Sequence, residues 1–148
     1  NAAQTDIQLV HFVNHPERIA QWLSKWQQEE LPRAQAAIAQ GLQPVMGFSV
    51  YTGNAAEFLD LMRQVKSLCP EVLIVAGGPH VQKAVDYLFS EAIDIIVLGE
   101  GEATFTDFLD ASGPDQWRYI AGLAFVENGE MVCTTARPRC STLWQRAR

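Results

Sequence analysis

No apolar run in the 148-residue sequence approaches the roughly 18–20 residues that a bilayer span needs, and nothing near the start resembles a signal peptide. Cysteine is scarce. Cys69, Cys133 and Cys140 are too few and too scattered for a secreted disulfide framework, and Cys133 and Cys140 lack the close spacing of a zinc or iron–sulfur site. Basic residues are also short, 11 against 17 acidic, for a formal charge of −6. Duplex binding depends on clustered Lys and Arg to neutralise phosphates, so nucleic acid is excluded as a partner, and so is a membrane. Internal repeats and low-complexity tracts are absent too. What remains is a protein of a reducing compartment, with a cytoplasmic location as the default.

Hydrophobic residues make up 48% of the chain, enough for one globular domain of this length without a disulfide or metal staple. The opening Asn1-Ala2-Ala3 has no methionine, and the tail Ser141–Arg148 has no clear periodicity. Both ends are read as belonging to a piece of a longer polypeptide.

Strand and helix patterns alternate. Ile7–Val13 has strand composition, and Ile19, Trp22, Leu23 and Trp26 then recur at helical spacing. Pro32 is expected to interrupt that helix, with Ala34–Ile38 a short second one ending near Gly41. Val45–Val50 reads as the next strand. Asn54 with Glu57 is close to a capping box, ahead of the helical face Phe58, Leu61, Met62, Val65 and Leu68, which Pro70 stops. Val72–Ala76 and Ile93–Leu98 are apolar runs without alternation, as in parallel strands covered on both faces, and only Asp94 breaks the pattern. Val81, Ala84, Val85, Leu88 and Phe89 mark a helix between them, and Phe105, Phe108 and Leu109 a short one after them. Gly122–Val126 and Met131–Thr135 flank Asn128-Gly129, a strong hairpin signal. The expected fold is α/β: a doubly wound parallel sheet in three layers, flavodoxin-like (Rossmann-like), with a C-terminal β-hairpin.

In such sheets ligands bind beyond the carboxyl ends of the strands. Three loops meet that description: Gly47–Asn54, Gly77-Gly78-Pro79-His80 and Gly99-Glu100-Gly101-Glu102. Any one of them is a tight βα turn; three on one edge favour a binding site. Glycines there let backbone approach a ligand, so a bulky residue at Gly78 is expected to block binding and leave the fold largely intact. Gly99-Glu-Gly-Glu-Ala-Thr104 approximates a dinucleotide fingerprint, but Thr104 replaces the third glycine and the strand comes late in the order. Catalytic constellations are thin. His11, His15 and His80 form no ligand pair, Ser49 has no activating partner, and Glu100 and Glu102 read as groups at a helix start. No catalytic or metal-ligating residue is assigned.

The ordered set Val45-Met-Gly-Phe-Ser49, Asn54, Val75-Ala-Gly-Gly-Pro-His80 and Asp94–Phe105 resembles the cobalamin-binding domain of class B radical SAM enzymes. Ala121–Gly129 and Arg137-Pro138 resemble the segment leading toward that family's radical domain, and the likeness runs over roughly residues 5–138. The resemblance implies a domain over residues 3–138 that holds cobalamin, with 139–148 a tail or the start of a linker. Whether an upstream βα unit is missing stays open. It also implies a partner in the same polypeptide, a radical SAM barrel with a [4Fe–4S] cluster and S-adenosylmethionine, in a methyltransferase or cyclase. The C-x-x-x-C-x-x-C cluster motif is absent, so the fragment is not catalytic alone. The D-x-H-x-x-G motif is absent as well, so no histidine is implied as lower axial ligand. Ser49, Tyr51, Thr52 and Asn54 would contact corrinoid amides or the nucleotide tail. Gly77, Gly78, Gly99, Glu100 and Gly101 would admit that tail, while Pro79 and His80 shape the rim. The alternative is a nucleotide- or flavin-binding α/β module. A receiver-like domain is disfavoured, because the loops supply no suitable phosphoacceptor aspartate.

Overall fold

The computed structural model describes residues 16–83 and 92–138. Helix α1 (Pro16–Ala39) leads through strand β1 (Val45–Ser49) and helix α2 (Ala55–Leu68) to β2 (Leu73–Gly77). A 3-10 turn (Pro79–Lys83) precedes β3 (Ile95–Val97), α3 (Gly101–Asp110) and the single turn α4 (Pro114–Trp117). The hairpin β4 (Leu123–Glu127) and β5 (Glu130–Cys133) completes the sheet. Strand order follows chain order: β1, β2 and β3 are parallel, and β4 and β5 add antiparallel at one edge. The reversal of order that a doubly wound sheet would have beside the first loop rests on Ile7–Val13, outside the described residues, as do His11 and His15.

The two unbroken apolar runs are adjacent and parallel as expected, with Val75 opposite Ile95 and Ala76 opposite Ile96. Their lack of alternation has a direct cause. Ile74, Ala76, Ile96 and Ala124 face a core built with α1 and α2, while Val75, Ile95, Val97, Leu123 and Phe125 face a second core with Phe108 and Trp117. Successive side chains point to opposite faces of a strand, so a sheet covered on both must be apolar at every position. The result is a three-layer α/β domain. In the second core Trp117 lies 5.9 Å from Phe108 and 5.6 Å from Phe125, ring centre to ring centre, so even the short α4 contributes a packed aromatic.

Two local expectations need correction. Pro32 does not end a helix; it lies within α1, a continuous 24-residue helix. Pro32 and Gln28 are both exposed, so the carbonyl that loses its partner to proline can be met by water, and Leu31 and Ile38 still pack inward. Asn54 stands at the N-cap of α2 without a side-chain capping bond, because its amide is used elsewhere. Helix α3 ends at Asp110, before Ser112-Gly113-Pro114, and Pro114 then opens α4 from its favoured first position. The hairpin is as expected: Asn128 and Gly129 both take positive φ, +53° and +78°, as a two-residue type I′ turn requires. Of the helix expected after β2, Val81 is buried in the 3-10 turn and residues 84–91 lie outside the described set.

Cys69 is buried between α2 and β2, where desolvation and the neighbouring Glu71 carboxylate push its thiol up, whereas Cys133 is exposed. Asp94 lies just before β3, at the strand's entrance. Its carboxylate accepts from the Ile74 N–H at 2.8 Å and pairs with Lys66 at 2.7 Å, while its own N–H donates to the Ile74 carbonyl at 3.0 Å. The side chain thus serves as a ladder partner one step before β3 begins. Asp94→Ala leaves a buried N–H unpaired and should cost about 1–3 kcal/mol in urea unfolding. Asp94→Asn retains an acceptor and should cost less.

Candidate functional site

Because β1, β2 and β3 are parallel, the loops that follow Ser49, Gly77 and Val97 leave the sheet at one edge. They are also bonded to one another. The first and second loops join through backbone: the Val50 N–H donates to the Gly77 carbonyl at 2.7 Å, and the His80 N–H donates to the Val50 carbonyl at 3.2 Å. The His80 Nδ1 adds a contact with the Thr52 hydroxyl at 3.4 Å. Val50 is fully buried beneath this seam.

Gly78 makes the seam possible. Its φ is +101°, and a Cβ there would come within 2.4 Å of the Val50 carbonyl oxygen and 2.9 Å of the Val50 nitrogen. The space freed by this glycine is therefore filled by the chain's own backbone, so a bulky residue would disturb the fold as well as any ligand. Asn54 is a support of the same kind. It is 8% exposed; its Oδ1 accepts from the Tyr51 N–H at 3.0 Å, and its Nδ2 donates to the Ser49 carbonyl at 3.1 Å, closing the first loop on itself.

The second and third loops join through Gln82, which sequence reasoning did not single out. Its Nε2 donates to the carbonyls of Gly78 and Val97, both at 3.1 Å, and its Oε1 accepts from the Gly99 N–H at 2.7 Å. Glutamine two residues after Gly-Gly-Pro-His carries no distinctive pattern, and only the position of Gly99 across the sheet edge reveals it.

Past Gly99 the backbone turns into α3. Gly99 has φ +72°, and among the described residues nothing lies within 4 Å of where a Cβ would stand, so its glycine answers to conformation. Glu100 holds the N-cap position and Glu102 lies in the first turn, where the helix's positive end favours a carboxylate. Thr104, which spoils the dinucleotide fingerprint, is fully buried. Its hydroxyl donates to the Ala121 carbonyl at 3.0 Å and accepts from Arg137 Nε at 3.1 Å, and Arg137 also pairs with Asp107. Gly122 makes room for it, since a Cβ there would fall 2.8 Å from that hydroxyl.

Of the expected contact residues, Ser49, Tyr51, Thr52, Pro79, Gly99 and Glu100 are exposed on the ledge, and Gly77, His80 and Gly101 are half-buried along it. A hollow of about 290 Å³ between α1 and α2, lined by Ile19, Leu23, Glu57 and Gln64, lies elsewhere, on the flank. Among the described residues no group of three or more His, Cys, Asp and Glu side chains is placed to hold a metal ion, and no helix is long and apolar enough to cross a membrane.

The model of the B12-binding domain matches residues 26–109, more than half of the chain, and takes in β1, β2, β3 and all three loops. The chain belongs to the B12-binding domain family. Relatives of this B12-binding domain include the cobalamin-dependent radical SAM methyltransferase TokK of Streptomyces tokunonensis, 34% identical over 79 residues. The anaerobic magnesium-protoporphyrin IX monomethyl ester cyclase of Cereibacter sphaeroides is 33% identical over 104 residues. An uncharacterized methyltransferase, PH0819, of Pyrococcus horikoshii is 32% identical over 97 residues. These matches cover 52%, 66% and 64% of this chain but only 12%, 17% and 21% of the respective relatives.

The two positive-φ glycines separate conformation from space. Gly99→Ala should cost only the left-handed penalty, about 1–2 kcal/mol. Gly78→Ala adds a collision with the Val50 backbone and should cost roughly 3 kcal/mol or more in the same unfolding experiment.

Proposed function

We propose that this chain is the cobalamin-binding accessory domain of a radical SAM enzyme of methyltransferase or cyclase type, formed by residues 3–138 and working in the cytoplasm. The supporting observation is the single ledge built from three mutually bonded, glycine-bearing loops at the carboxyl edge of β1–β3, within the segment that matches the B12-binding family.

The ledge suits a corrinoid in its chemistry. The exposed hydroxyls of Ser49 and Thr52 can donate to or accept from the ring's peripheral amides, and Tyr51, 44% exposed, offers an apolar ring beside them. Gly77, Gly99 and Gly101 bring backbone to the surface without side chains in the way, and the N-terminus of α3 beside Glu100 presents free N–H groups that suit an anionic tail. Pro79 and His80 form the rim. Asn54 and Gly78 act one step back, by holding the first loop in shape and by seating the second loop on Val50.

When bound, cobalamin supplies methyl relay or assistance to radical chemistry, and no residue of this domain is assigned a bond-making role. A ligand of that size on a ledge is covered on one side only. The proposed partner is therefore a radical SAM barrel of the same polypeptide, carrying the [4Fe–4S] cluster and S-adenosylmethionine, closing over the other side.

Visible spectra after separate incubation with hydroxocobalamin, FMN and NAD test the reading. A retained, shifted cobalamin spectrum with no retention of the other two is expected; retention of FMN or NAD alone would overturn it. Ser49→Ala should weaken cobalamin binding about threefold to tenfold, the value of one neutral hydrogen bond.

A further inference from the structure

The two seams of the ledge differ in kind. Between the first and second loops two bonds are backbone to backbone, beside the His80–Thr52 side-chain contact, so most side-chain changes leave that seam in place. On the β2 side of the third loop, the Gly99 N–H reaches the rest of the ledge through one carboxamide, that of Gln82. The same group also holds the Gly78 carbonyl of the second loop and the Val97 carbonyl at the end of β3. All three contacts are well within hydrogen-bond range, and they span both loops from a single point in the 3-10 turn.

Gly99 has no side chain with which to anchor itself. Its φ is +72°, and among the described residues nothing lies within 4 Å of where its Cβ would stand; the Leu98 N–H before it donates to the Gly122 carbonyl at 2.8 Å, and its own N–H is met by Gln82. A residue of that kind is ordered by its hydrogen bonds.

We propose that Gln82 is a positioning residue of the cobalamin ledge: its carboxamide locks the Gly99–Gly101 loop to the Gly77–Pro79 loop, so that both present backbone to one ligand. This rests on the cobalamin reading above. Gln82 touches no ligand in this role. It acts through Gly99, by ordering the third loop before the ligand arrives, which removes an entropic cost from binding.

The test uses this 148-residue chain and two readouts: amide exchange at Gly99 without ligand, and hydroxocobalamin affinity by visible titration well below the unfolding midpoint. Gln82→Met keeps the length and removes all three bonds. It should speed Gly99 exchange and weaken cobalamin binding by about threefold to tenfold, the value of one well-formed neutral hydrogen bond lost from the ordered loop. Gln82→Glu keeps an acceptor for the Gly99 N–H but loses both donors, so it should protect Gly99 partly and bind between parent and Gln82→Met. It also provides a polar variant should Gln82→Met unfold.

A merely structural glutamine would lower the unfolding midpoint without moving Gly99 exchange relative to its neighbours. Unchanged Gly99 exchange in either variant overturns the inference. Faster exchange with undiminished cobalamin affinity overturns it as well. A parent chain that takes up no hydroxocobalamin overturns the function proposed above, and with it the ligand role of Gln82.

Discussion

The close seating of Gly78 against the Val50 peptide is the constraint on which the ledge depends. Val50 leaves β1 at the point where β2 ends, and it bonds backward to Gly77 and forward to His80. Both bonds require the second loop to pass within contact distance of the Val50 backbone, which a residue with a side chain cannot do. From this seam the rest of the first loop follows. Asn54 closes the turn from Ser49 to Tyr51, and Thr52 comes to lie beside His80.

On the far side of the edge a second close approach plays the matching part. Gly122 lets the buried Thr104 hydroxyl reach the Ala121 carbonyl, which fixes α3 over β4 and so sets where the third loop must end. Arg137, just beyond β5, completes that hydroxyl's bonding and pairs with Asp107 on α3. The chain thus leaves the hairpin tied down at the same edge as the three loops, since β5 runs parallel to β3. Between these two close approaches lies the third loop, where the Gly99 N–H is met by the Gln82 side chain.

Local chemistry made much of this legible in the residues. The apolar runs at Val72–Ala76 and Ile93–Leu98, broken only by Asp94, read as strands covered on both faces, and Asn128-Gly129 read as a hairpin turn, which its two positive φ values bear out. The failures were local too, and each was decided by surroundings. Pro32 is harmless in α1 because its side of the helix faces water, a fact no single residue carries. Asn54 looked like a helix cap by position, but the bend of the loop before it offered its amide two better partners.

The order of loops, their glycines and their likeness to a cobalamin-binding family were determined by sequence alone, because turn chemistry and apolar periodicity act over a few residues. Which glycines face a ligand and which face the chain was decided only in three dimensions. Gly78 and Gly99 are indistinguishable as letters, yet a Cβ at one would meet Val50 and a Cβ at the other would meet nothing among the described residues. Gln82 lies 17 residues from Gly99 and 15 from Val97, so its part in the site exists only once β2 and β3 lie side by side. Hydrogen bonds between loops depend on the separation of strands across a sheet, and that separation is a property of packing.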